Sequence, residues 1–65
     1  MDKRLHQTKY RQQKGEWAYR LYVAQDGDRY AVWREEVDSR RKPINYRLVE
    51  RFQTLQEAID SAEIN

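Results

Sequence analysis

Two alternating, aromatic-rich runs meet at an Asp-Gly pair, and no other stretch of the chain restricts its fold as much. The first is Trp17-Ala18-Tyr19-Arg20-Leu21-Tyr22-Val23-Ala24 and the second is Tyr30-Ala31-Val32-Trp33-Arg34. Tyr, Trp and Val suit a pleated strand, and a period of two marks strands rather than helices. Asp26-Gly27 supplies the φ > 0 chemistry of a tight hairpin. With Asp26 and Gly27 as the two loop residues, Val23 is expected opposite Tyr30, Leu21 opposite Val32, Tyr19 opposite Arg34 and Trp17 opposite Glu36. On the second face Tyr22 then meets Ala31, Arg20 meets Trp33 and Ala18 meets Glu35. A one-residue slip would mix the two faces, which disfavours it.

After the hairpin, Asp38-Ser39-Arg40-Arg41-Lys42-Pro43 reads as an exposed polar loop closed by proline. A third strand is expected from Ile44 to Phe52, with Ile44, Tyr46, Leu48 and Phe52 on one side and Asn45, Arg47, Val49 and Arg51 on the other. Thr54-Leu55-Gln56-Glu57 then has the spacing of a capping box, in which Thr54 accepts from the Glu57 backbone and the Glu57 side chain returns to that of Thr54. Leu55, Ala58, Ile59 and Ala62 recur at i, i+3, i+4 and i+7, the stripe of a helix packed on a sheet. So short a helix is not stable alone in water and must lie on the strands.

The reading is therefore α+β: a three-stranded antiparallel sheet with one C-terminal helix on one face (βββα), spanning residues 15–65. Residues 1–14 show no alternation and no amphipathic stripe, and are predicted to be a flexible basic tail. The helix is expected to cover Leu21, Val23, Val32, Leu48 and Phe52, edged by Trp17, Tyr19, Tyr30 and Tyr46.

A chain of 65 residues makes one domain with a thin stability margin. It has no cysteine and one histidine, His6, which excludes a disulfide framework, a structural zinc site and a Cys/His nucleophile. The lack of cysteine suits the cytoplasm, and Met1 to Gln7 has none of the apolar character of a signal peptide. Nothing is long and apolar enough to span a membrane. Glu35, Glu36 and Asp38 cannot converge on one ion, because Glu35 and Glu36 point to opposite faces of a strand. No metal, cofactor or small-molecule substrate is expected. With no triad, no glycine loop and no paired carboxylates, neither is catalysis.

Function is expected on the sheet face that the helix leaves bare: Arg20, Tyr22, Ala31, Trp33, Glu35, Arg47, Val49 and Arg51, with the Arg40-Arg41-Lys42 loop at one end. The net charge of +2 is uneven, at +4 over residues 1–24 and −2 over the rest. Aromatic rings stack on bases and arginines contact phosphate, which points to nucleic acid. Glu57, Asp60 and Glu63 would lie on the far side, away from any phosphate. The same residue types also make protein interfaces, so a protein-interaction or inhibitor module, or a homodimer anchored by Tyr22, Trp33 and Val49, is the alternative.

The order of three antiparallel strands and one helix over residues 16–63 resembles the small DNA-binding domains at the N-termini of phage-type integrases, and a plant family of DNA-binding domains with the same element order. The resemblance implies a sheet laid in the major groove with Arg20, Tyr22, Trp33, Arg47 and Arg51 facing the bases. Glu35 on that same face departs from the pattern.

Overall fold

A computed structural model describes residues 3–12 and 15–65. The α+β class is as expected, but the sheet has five strands rather than three. They are β1 (Arg4–Gln7), β2 (Arg11–Gln12), β3 (Ala18–Asp26), β4 (Arg29–Val37) and β5 (Pro43–Phe52), followed by helix α1 (Leu55–Ile64). All neighbours are antiparallel, in the order β1-β3-β4-β5, with β2 also on the outer side of β3. The expected flexible tail is thus corrected over residues 4–12, which form an edge of the sheet; residues 1, 2, 13 and 14 of that tail lie outside the described residues.

The physical reason is hydrogen-bond completion along β3. Its residues Leu21, Tyr22 and Val23 are all buried, so the strand needs a neighbour on each side. Thr8 supplies part of it: its N–H donates to the Leu21 carbonyl at 2.8 Å, and its hydroxyl accepts from the Leu21 N–H at 3.1 Å.

The β3–β4 hairpin forms with a register two residues away from the expected one. Asp26 pairs with Arg29, so the loop is Gly27-Asp28, and Val23 meets Val32, Leu21 meets Arg34, Tyr22 meets Trp33 and Arg20 meets Glu35. Gly27 has φ 64 while Asp28 keeps a negative φ, the pattern of a type II′ turn with glycine first. A shift of two preserves parity, so both faces keep their expected members on β3 and β4. A Cβ at Gly27 would meet nothing within 4 Å, so only backbone strain opposes it. Gly27→Ala is therefore expected to cost about 1 kcal/mol, read as a lowered urea midpoint with an unchanged slope.

On β5 the expected parity fails. A bulge between the Val32 and Trp33 positions leaves Val49 as the extra residue, so Phe52 and Glu50 pair with Tyr30 and Val32, whereas Leu48 pairs with Trp33, Arg47 with Arg34 and Tyr46 with Glu35. Between this bulge and a second register shift that leaves Ile44 as an extra residue, each side chain has changed face. Tyr46 and Leu48 leave the helix side, and Arg47 joins it.

Helix α1 lies on Leu21, Val23 and Val32 through Ala58 and Ala62, with Tyr30, Phe52 and Ile59 packed around them. Burying each large aliphatic side chain contributes roughly 1.5–3 kcal/mol before chain entropy. Thr54 caps the helix, its hydroxyl accepting from the Glu57 N–H at 3.2 Å. The reciprocal half of the box differs: the Thr54 hydroxyl itself donates to the Glu57 carboxylate at 2.9 Å. At the other end Arg11 donates to the carbonyls of Ala62, Glu63 and Asn65, placing a cation on the negative pole of a helix whose last turn has no basic residue.

Candidate functional site

The face away from the helix is organised around a buried carboxylate. Glu35 is only 2% exposed, near the C-terminal end of β4. Arg4 grips it with both ends of its fork, Nη1 to Oε1 at 3.0 Å and Nη2 to Oε2 at 2.9 Å. Arg20 adds Nε to Oε1 at 2.8 Å, and the Tyr46 hydroxyl donates to Oε2 at 3.2 Å. Two acceptor oxygens thus receive four donors, the full capacity of a carboxylate. The Arg4 guanidinium, then that of Arg20, holds the Glu35 carboxyl down at about 2, against the opposing push of burial. The same Arg4 lies 3.9 Å from the Tyr22 ring centre, and Tyr46 meets Tyr22 edge-on at 6.4 Å. These contacts cover much of the face that the helix leaves bare.

What stays accessible is a groove beside this cluster, at the hairpin end of the sheet. Tyr22, Ala24, Gln25, Asp26, Trp33, Tyr46 and Arg51 line an open depression of about 410 Å³. That volume falls within the range of small-ligand sites, roughly 300–1,000 Å³. Three of the lining side chains are aromatic. Arg51 Nε donates to Asp26 Oδ2 at 2.6 Å, so a donor and an acceptor stand together in the groove.

The β4–β5 turn lies at the opposite end of β4, roughly 27 Å away for nine residues. Its shape comes from Asp38, whose carboxylate accepts from the N–H groups of Arg40 at 2.8 Å and Lys42 at 3.0 Å. Those bonds to Lys42 and Arg40 also pull the Asp38 carboxyl below its ordinary range. Arg41 takes a positive φ of 63 and its guanidinium lies 4.7 Å from the Tyr10 ring centre, with Arg20 at 4.4 Å from the same ring.

The residues expected to share one binding face are therefore distributed. Trp33 and Arg51 come together in the groove. Tyr22 also lines it but is only 5% exposed. Arg20 is committed to Glu35 and Tyr10. Arg47 stands on the helix side opposite Arg34, and Val49, 40% exposed, is the bulge residue. Arg40, Arg41 and Lys42 are exposed in the distant turn. Three residues of the site are not among the expected binding residues: Arg4, Asp26, which reads in the sequence only as a turn residue, and Tyr46, expected at the edge of the helix-covered face. Tyr46 was hidden by the bulge, and Arg4 by the lack of alternation before Thr8. Among the described residues no cluster of His, Asp and Glu could hold a metal ion. Compared with known proteins, the chain matches no family model, no curated protein and no solved structure.

Proposed function

We propose that the protein is a small non-enzymatic binding module that takes single-stranded nucleic acid on the face away from its helix. The supporting observation is the groove lined by Tyr22, Trp33 and Tyr46 together with the ion-paired Arg51 and Asp26. A flat base can stack on the aromatic lining, on Trp33 and Tyr46 above all, and stacking is tolerant of sequence because every base has a π-face. Asp26 can accept from an exocyclic amine and Arg51 can donate to a base carbonyl or a phosphate. The exposed Arg40 and Lys42 at the far end of β4 would hold the backbone of an extended strand. A duplex read by the sheet would need Arg20, Tyr22 and Arg47 on one accessible face, and the fold puts them in three different environments.

The test is fluorescence anisotropy of labelled DNA and RNA oligonucleotides, titrated with wild type, Trp33→Ala and Arg47→Ala at low and high salt. Trp33→Ala is expected to weaken binding by about tenfold, from one lost stacking contact, while Arg47→Ala changes it little. Affinity should fall linearly on a log–log salt plot. Equal binding by wild type and Trp33→Ala, or no salt-sensitive binding of any oligonucleotide, would overturn the proposal.

A further inference from the structure

The two edges of the sheet are unlike. On one side β1 has four residues, β2 has two, and a register shift breaks β1 between Arg4 and His6. On the other side β5 runs ten residues, almost wholly exposed, with β4 on one side and, among the described residues, no strand on the other. Ile44, Tyr46 and Val49 on this edge are 44%, 46% and 40% exposed. A long edge of this kind is a template for another strand, and native proteins blunt such edges or use them.

We propose that β5 pairs antiparallel with β5 of a second copy of the chain, about a two-fold axis between Leu48 and Val49, joining two sheets into one. The bulge at Val49 makes this register possible. In a regular strand residues 47 and 50 would point to opposite faces. Here Arg47 pairs with Arg34 and Glu50 with Val32, two residues apart on β4, so both side chains and both backbone groups turn the same way. Tyr46 and Arg51 share the other face by the same logic, opposite Glu35 and Ala31.

An axis between Leu48 and Val49 then sets Arg47 against the second copy's Glu50 on the helix side. On the groove side it sets Tyr46 against the second copy's Arg51. Each copy contributes both partners, so each pair occurs twice, as an isologous interface requires. Opposite charges and a cation over a ring are the cross-strand pairs that stabilise a ladder. A regular self-pairing that ignored the bulge would put side chains of opposite faces together across the interface. Tyr46 and Arg51 both line the groove, so the two grooves would meet at the axis. The dimer does not depend on what the groove binds.

Sedimentation equilibrium from micromolar to millimolar protein is expected to show a species of twice the 8.0 kDa chain mass. Glu50→Arg sets like charges together at both symmetric sites and should raise the dimer dissociation constant about tenfold. Arg47→Glu should do the same. The double variant restores opposite charges in this register and should recover the wild-type constant. Circular dichroism checks that each variant folds. Should a single variant not fold, isotope-filtered NOEs between Tyr46 and Arg51 in a mixed labelled and unlabelled wild-type sample decide the matter. A wild type that stays at 8.0 kDa throughout, a charge swap without rescue, or intermolecular NOEs elsewhere would each overturn the proposal.

Discussion

Glu35→Ala is expected to lower stability by roughly 3 kcal/mol, the cost of breaking a buried ion pair from one side. A domain of this length has about 3–10 kcal/mol in total, so the variant would sit near the threshold of folding. The loss has two parts. Arg4 and Arg20, both about four-fifths buried, keep their charges with no acceptor in the same place. Tyr46 loses the acceptor that fixes its hydroxyl, and with it the edge-on contact to Tyr22. Thermal unfolding should show the midpoint falling by more than about 10 °C. A midpoint within a degree or two of wild type would mean that the cluster is not a stabilising element.

The same carboxylate sets an acid limb. In the folded chain Glu35 titrates at about 2, lowered from 4.5 chiefly by its bonds from Arg4 and then from Arg20. Its folded value lies below its unfolded one, so between the two the unfolded chain binds more protons. The contribution is complete above about pH 4.5 and is lost as pH falls toward 2. The full amount is on the order of 3 kcal/mol. Urea midpoints for wild type and Glu35→Gln should therefore differ near neutrality and converge as the acid end of that window is approached. Parallel curves across the window would show that this group carries no such linkage.

How much of this was legible differs by element. The hairpin was, because period two and a glycine turn are local signals; even its two-residue register error left every β3 and β4 side chain on the expected face. The helix was legible from its cap and stripe, although Leu55 stays 36% exposed and Ala58 and Ala62 make the close contact. The face assignment of β5 was not, since Ile44, Tyr46, Leu48 and Phe52 already satisfy one parity and nothing in that pattern asks for a bulge. The groove depends on that bulge, which carries Tyr46 to the side of Trp33. The N-terminal strands were hidden for another reason. Arg4, Thr8 and Arg11 act through polar groups that meet Glu35, Leu21 and the helix C-terminus only in three dimensions. One signal did exist: Leu21-Tyr22-Val23-Ala24 has no polar position, as a strand buried on both faces and flanked on both sides requires.

Deleting residues 1–10 is expected to abolish the fold, and here the two readings of the N-terminus diverge most. A flexible tail would come off without changing the melting curve. The structure makes it part of the domain: removal takes away Arg4, the two-ended partner of Glu35 and the cover of Tyr22. It also strips Thr8 from the buried Leu21, whose N–H and C=O are then both left unpaired. Each of these lost hydrogen bonds costs roughly 0.5–1.5 kcal/mol, and the broken charge pair adds roughly 3 kcal/mol. Together these are comparable to the total available to a chain of this size. The truncated protein should show the narrow amide dispersion of an unfolded chain in its ¹⁵N–¹H spectrum. A synthetic peptide of residues 1–10 added in trans should restore dispersion, because β1 rebuilds the edge of β3 by antiparallel pairing and returns Arg4 and Thr8 to Glu35 and Leu21. A truncated chain that keeps its dispersion and its midpoint would return the segment to the status of a tail, and would leave the face of Tyr22 and Glu35 open to solvent.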